Sequence, residues 1–190
     1  MIAEKQDVMI SIRPFYTGEI LAGAKEIDVR KGRPKQEPPF KCYIYETQGK
    51  TEIPWMDEDG HMIFKGRGAV VAEFVCDRIF QYSTSPALKD ECDISDEDMA
   101  RMSCLTKKEL SEYEYSAASK DFTLYKIGLY GWHISQLKEY KKPYPLSDFC
   151  TGSSTFRFNK EGRTVCSGMK RAPQSWCYVD DADPLRGDRE

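Results

Sequence analysis

A lysine, an aspartate and an arginine stand at positions 25, 28 and 30 of the run EILAGAKEIDVRK, which spans Glu19 to Lys31. The first part of the run reads as the end of a helix and the second as a short strand. Along that strand Glu26, Asp28 and Arg30 alternate with Ile27 and Val29, so one face is wholly charged and the other apolar. A second candidate, Glu73, lies between Ala72 and Phe74 in the apolar run AVVAEFVC and shares a strand face with Val71 and Val75. A carboxylate there is expected to be partly buried, and a buried charge needs a partner such as Lys25 or Arg30. Three outcomes are open: a solvated charged face, an ion pair that holds the fold together, or a working site.

The elements that must position these residues follow from local pattern. VMISIR at 8–13 reads as a strand, and Pro14 suits the first turn of a helix that runs to about Ala22 and is stopped by Gly23. EIDVRK and FKCYIYE are the next strands, with the loop GRPKQEPP between them. Residues 47–67 carry the turn sequence DEDG and form a hairpin, with Trp55 in the loop IPWMDEDG, and AVVAEFVCDRIF is the strongest strand. Residues 83–121 are acidic and polar and read as a helical insertion, with Ser95 and Thr106 as caps. Strands return in FTLYKIGLYGWHI, QLKEY and QSWCYV, and the acidic tail at 181–190 is expected to be frayed. The order predicts a single α+β domain over 1–180, built on a strongly bent or closed sheet.

With 40% hydrophobic and 31% charged residues the chain is long enough to bury a real core. No apolar run approaches the roughly 20 residues needed to span a bilayer. The opening MIAEKQD lacks the pattern of a secretory leader, so the expected compartment is the cytoplasm, with no membrane partner. The seven cysteines are scattered without a C-x-x-C pair, so reduced thiols are expected; Cys150, Cys166, Cys177 and His133 match no metal-ligand spacing. Nothing resembles a dinucleotide fingerprint or a P-loop, and neither cofactor nor metal is expected. His61 and His133 read as structural or surface residues.

The net charge of −3 argues against indiscriminate coating of nucleic acid, but the charge is unevenly placed. Lys25 to Lys41 holds six basic residues against three acidic, and Arg157 to Arg171 holds five against one. Such basic regions either present a positive groove to phosphates or are ordinary solvated faces.

Three segments together resemble the ASCH domain family: SIRPFYTGEILAGAKEIDVRK, GAVVAEFVCDRI and YGWHISQLKEYKKPYPLSDF, in that order between residues 9 and 149. The resemblance implies a PUA-like fold, a small mixed β-barrel flanked by helices, shared with domains that bind RNA or modified bases. It implies a ligand groove beside the first helix carrying Arg13, Lys25, Arg30 and Lys31, with Glu73 nearby. Arg30 would make bidentate contacts to a phosphate or base edge, and Lys25 would act as a point charge or a nucleophile. Lys170 and Arg171 either cover the groove from the side or form a simple basic loop. For stacking of bases the candidates are Phe15, Tyr16, Trp55, Trp132 and Trp176.

The function this implies is binding of RNA, of a nucleotide or of a modified base, with DNA as a further possible ligand. A second reading is enzymatic. Some small ASCH proteins are amidohydrolases that remove the acetyl group from the exocyclic amine of acetylcytidine, using a lysine, a threonine and a glutamate. Lys25 matches the lysine, Asp28 occupies the threonine position, and the glutamate falls among Glu73, Glu109 and Glu112. A carboxylate at 28 would orient Lys25 or take its proton, yet raise its pKa. A third class is a protein-interaction module that uses the acidic helical insertion.

Overall fold

The computed structural model describes residues 5–56, 60–115, 128–152, 156–158 and 164–181. In chain order the elements are β1 (Asp7–Ile12), α1 (Pro14–Leu21), β2 (Ile27–Arg30), β3 (Phe40–Glu46), β4 (Lys50–Met56), β5 (Met62–Lys65), β6 (Ala69–Tyr82), α2 (Asp96–Ser103), α3 (Lys107–Tyr115), β7 (Leu129–Tyr144), β8 (Phe149–Cys150), β9 (Phe156–Phe158), β10 (Thr164–Cys166) and β11 (Trp176–Asp181). Seven strands form a mixed sheet in the order β2-β7-β6-β3-β1-β11-β8, and β4-β5 and β9-β10 are separate two-stranded ribbons.

The sheet is open. Among the described residues no pairing joins β2 to β8, so the closed barrel implied by the sequence resemblance is not shown. Closure needs end strands long enough to meet with a consistent stagger. Here they are four and two residues long, and the residue that leads into β2 is bonded to a helix, the Glu26 N–H donating to the Met102 carbonyl at 2.7 Å. No helix among the described residues is long and apolar enough to cross a membrane.

The chain divides into two compact units. The first comprises Met1–Gly18, Phe40–Phe74 and Leu137–Glu190. Its centre is the parallel pair β1 and β3, with Val8 opposite Cys42 and Ile10 opposite Ile44, all fully buried. Strands flanked on both sides and covered on both faces read as continuous β-branched and apolar runs, as VMISI does. β11 adds to β1 and β8 to β11, both antiparallel. Met9, Tyr43, Val70, Phe149 and Val179 form the core, with Tyr140, Tyr144, Leu146 and Met169 packed against it. Gly66 lies so close to β3's exit that a Cβ would stand 1.8 Å from the Thr47 carbonyl oxygen. Trp55, anticipated in a loop, falls in β4 opposite Ile63.

β8 and β10 bring Cys150 and Cys166 together as a disulfide, with their Cα atoms 6.2 Å apart. This departs from the expectation of reduced thiols. The two stand 16 residues apart with no motif between them, and only the return of the chain from β8 through β10 makes them neighbours.

The second unit comprises Glu19–Pro39 and Val75–Gln136. β2 pairs antiparallel with β7, Ile27 opposite His133 and Val29 opposite Gly131. Over that apolar face pack α2 and α3: Ile27, Val29, Tyr82, Met99, Leu110 and Leu129 make one core. Gly131 permits the approach, since a Cβ there would stand 2.8 Å from Ile27 Cγ2 and 3.1 Å from Met99 Cε. The two helices begin where the sequence places their caps. Ser95 accepts the Asp98 N–H at 3.0 Å. Thr106 and Glu109 form a reciprocal box, Thr106 Oγ1 accepting from Glu109 N at 3.2 Å and Glu109 accepting from Thr106 N at 2.8 Å. Of the expected helical segment at 83–121, a 3-10 turn at Pro86–Glu91, α2 and α3 account for the part up to Tyr115, and 116–121 lie outside the described residues.

Candidate functional site

Lys25 is delivered by the way α1 ends. Gly23, at φ 75°, lets the chain reverse. Its N–H donates to the Ile20 carbonyl, and the N–H groups of Ala24 and Lys25 both donate to that of Glu19, at 2.9 and 3.1 Å. This is the double closure of a Schellman turn, and it satisfies the last carbonyls of the helix. The next residues enter β2 with Lys25 turned inward. Lys25 is only 3% exposed, and its Nζ donates to the Ser103 carbonyl at 2.7 Å, at the last residue of α2. Cys104, left-handed at φ 54°, ends that helix and donates its thiol to the Ala24 carbonyl at 3.2 Å.

Burial pushes the Lys25 amine below the ordinary lysine value. Asp28, Cys104 and Glu19 act against that, and Arg30 acts with it. Burial likewise raises the Cys104 thiol, and Glu19 adds to the effect. Glu19, Lys25, Asp28, Arg30 and Cys104 therefore share one electrostatic neighbourhood within the second unit.

The charged face of β2 is buried and paired. Asp28 and Arg30 are 6% and 7% exposed, and Arg30 Nε meets Asp28 Oδ2 at 2.5 Å. Alternation places both on the face away from the apolar core, and the register sets Asp28 opposite Trp132 and Arg30 opposite Tyr130. Trp132 is fully buried and Tyr130 half-buried. The face thus combines an ion pair with two aromatic side chains, and Lys25 stands at the entrance of the strand. Lys31, just beyond, is exposed, with its Nζ 4.5 Å from the centre of the Tyr113 ring, and partial burial lowers its pKa.

Glu109 and Glu112 lie on α3 in the second unit, and most of the remaining sequence candidates fall in the first. Arg13 is exposed at the start of α1, where its carbonyl accepts the Thr17 N–H at 3.0 Å. Glu73 is half-buried, as expected, but its partners are Tyr140, whose Oη donates at 2.7 Å, and Lys41 at 3.8 Å, in place of Lys25 or Arg30. Lys170 and Arg171 are exposed. Of the aromatic candidates, Phe15 is 46% exposed, while Tyr16 and Trp176 are half-buried. His133 makes a surface pair with Asp77 at 2.7 Å. Among the described residues no cluster of three or more His, Cys, Asp or Glu side chains is placed to hold a metal ion.

Sequence reasoning missed Glu19, Ser103 and Cys104. Ser103 lies four residues after Met99 on the buried face of α2, and nothing in the sequence sets it apart from any other serine there. A cleft of about 430 Å³ elsewhere in this unit is lined by Lys89, Cys92, Asp93, Ser95, Asp96 and Glu97. Its Lys89 is already paired with Asp96, which also accepts from Tyr82 Oη at 3.1 Å, so its polar groups serve the fold.

By sequence the chain matches no family model and no curated protein. Its fold does match solved structures. The ASCH protein of Zymomonas mobilis is similar over 93% of this chain and 90% of its own, with a TM-score of 0.54 at 12% identity. Two point variants of that protein give TM-scores of 0.52 and 0.53 at 12% and 14% identity, again over more than nine tenths of both chains.

Proposed function

We propose that this chain, which has the fold of ASCH domain proteins, binds a nucleobase, either of a free nucleotide or modified nucleoside or of a base splayed from RNA. The observation that carries the reading is the buried constellation on β2: Lys25, Asp28 and Arg30 on one face, with Trp132 and Tyr130 directly across. Donors (Lys25, Arg30) and an acceptor (Asp28) beside aromatic rings suit the edge and plane of a base. Charge alone suits a phosphate chain less well, because Asp28 and Glu19 offset the two cations. Phosphate affinity would come instead from the exposed Lys31, on the same unit.

The burial-lowered pKa of Lys25 favours a second reading, hydrolysis of an acylated exocyclic amine. An amine that sheds its proton more readily is a better base or nucleophile than an ordinary lysine at the same pH. As nucleophile, Lys25 forms a bond to the acyl carbon, the C–N bond to the base breaks and the freed amine takes a proton; water then releases the acyl group as a carboxylate. Asp28, at the position where ASCH amidohydrolases carry a threonine, supports the proton transfers.

The test is titration calorimetry with acetylcytidine and cytidine monophosphate, and fluorescence anisotropy with short single-stranded RNA and DNA, at two salt concentrations. Wild type should bind at least one of these, and Lys25→Met should lose nucleoside binding while folding normally. Polynucleotide affinity that falls with salt and with Lys31→Ala assigns the exposed lysine to phosphate. Release of acetate that Lys25→Met abolishes establishes the enzymatic reading. Failure of every probe to bind at low salt would overturn the proposal.

A further inference from the structure

One polar atom beside Lys25 has no evident structural task. Ser103 is fully buried at the end of α2, and its hydroxyl finds no hydrogen-bond partner among the described residues. Its carbonyl is the group that receives Lys25 Nζ at 2.7 Å, so the hydroxyl and the ammonium belong to the same pair of residues. Other hydroxyls of the second unit have partners: Ser95 and Thr106 cap helices, and Ser83 donates to Glu114 at 2.6 Å. A buried hydroxyl left without a partner costs roughly 1–3 kcal/mol, and alanine in its place would be neutral or stabilising. A serine in the last turn of a helix gains nothing over alanine from propensity either.

We infer that the Ser103 hydroxyl is a ligand-recognition group, which with the Lys25 ammonium forms a two-point hydrogen-bonding site for a carbonyl-bearing nucleobase. The hydroxyl both donates and accepts, whereas Lys25 only donates. The pair therefore suits an acceptor beside a donor, an arrangement that cytosine presents at N3 and its exocyclic amine and that other bases share. The inference rests on the nucleobase-binding reading above and adds to it the residue that selects among bases. It also predicts an uncommon combination: a substitution that weakens binding without weakening the fold.

The experiment compares wild type with Ser103→Ala and Ser103→Cys, the second preserving volume should the first fold poorly. Each is titrated with cytidine monophosphate and acetylcytidine and melted without ligand. Ser103→Ala is expected to bind about 10-fold more weakly with a melting temperature equal to or above that of wild type, since one hydrogen bond to a ligand accounts for a change of that order. Ser103→Ala that binds like wild type removes Ser103 from the site and leaves the nucleobase reading standing. A variant that binds like wild type but melts lower shows a hydroxyl serving the fold through internal water, and also overturns the inference. If wild type binds neither nucleotide nor nucleoside, the underlying reading falls and the role of Ser103 falls with it.

Discussion

Replacing Arg30 with methionine should destabilise the protein by about 3 kcal/mol, toward the lower end of the range for orphaning one member of a buried ion pair. The side chains of Arg30 and Asp28 are 8% and 9% exposed, so solvent screens them little. At an effective dielectric near 20, unit charges about 4 Å apart attract by about 4 kcal/mol, and desolvation offsets much of that while both are present. With methionine at 30 the Asp28 carboxylate stays buried and loses its guanidinium. Lys25, which already senses Asp28, supplies partial compensation, so the low end of the range applies. For a chain of this length about 3 kcal/mol corresponds to a melting-temperature drop of about 6–12 °C. Urea unfolding followed by circular dichroism reads it directly, as a lower midpoint at unchanged slope. Adding Asp28→Asn to Arg30→Met should restore most of the loss, giving a coupling energy of about 2 kcal/mol in the double-mutant cycle. Arg30→Met within about 0.5 kcal/mol of wild type would mean that the pair behaves as a solvated surface bridge, and the buried-face account of β2 would be wrong.

Three further outcomes follow from single observations. Lys25 has a folded pKa below its unfolded value, so between the two the unfolded chain holds the extra proton; stability should climb with pH through that window toward the ordinary value of 10.5, and the difference between wild type and Lys25→Met, measured by urea midpoints, isolates the climb. A flat difference would show that the amine is solvated. Gly66→Ala places a methyl 1.8 Å from the Thr47 carbonyl oxygen and should cost at least about 2 kcal/mol in thermal or urea unfolding, with full recovery in the glycine protein. Reduction of the Cys150–Cys166 bridge, which closes a loop of 16 residues, should lower stability by about 3 kcal/mol in the chain-entropy account, while Cys150→Ser should make the protein indifferent to reductant.

Much of the scaffold was legible because it rests on local chemistry. Pro14 and Gly23 bracket α1, Ser95 and Thr106 open α2 and α3, and alternation along EIDVR separates two faces of β2 correctly. What alternation does not contain is which face a neighbour covers, so the charged face admitted solvent, structure and site alike until burial of Asp28 and Arg30 excluded the first. The same limit explains Glu73. Its half-buried place follows from strand period, but its partners come from residues 41 and 140, brought there by sheet order rather than sequence distance. Cys150 and Cys166 were hidden for that reason too. Ser103 was hidden for another: a small polar residue on a buried helix face looks like any tolerated serine until its hydroxyl is found without a partner.

On the nucleobase reading proposed above, the charges around Lys25 bear on what kind of ligand β2 would select. Two cations, Lys25 and Arg30, stand with two carboxylates, Asp28 and Glu19, in one electrostatic neighbourhood. A pocket for a phosphate chain keeps its cations uncompensated, because attraction and counterion release supply its affinity. Compensated charges that are also buried lose that long-range pull and retain hydrogen-bond direction, which discriminates between base edges. Affinity for a neutral nucleoside should therefore change little with salt, and any steep salt dependence of RNA binding should be traceable to exposed residues such as Lys31. On that proposed reading, selection falls to the strand β2 with Ser103 and attraction to exposed basic side chains such as Lys31, so substitutions in the two sets should alter different quantities: base preference in one, salt slope in the other.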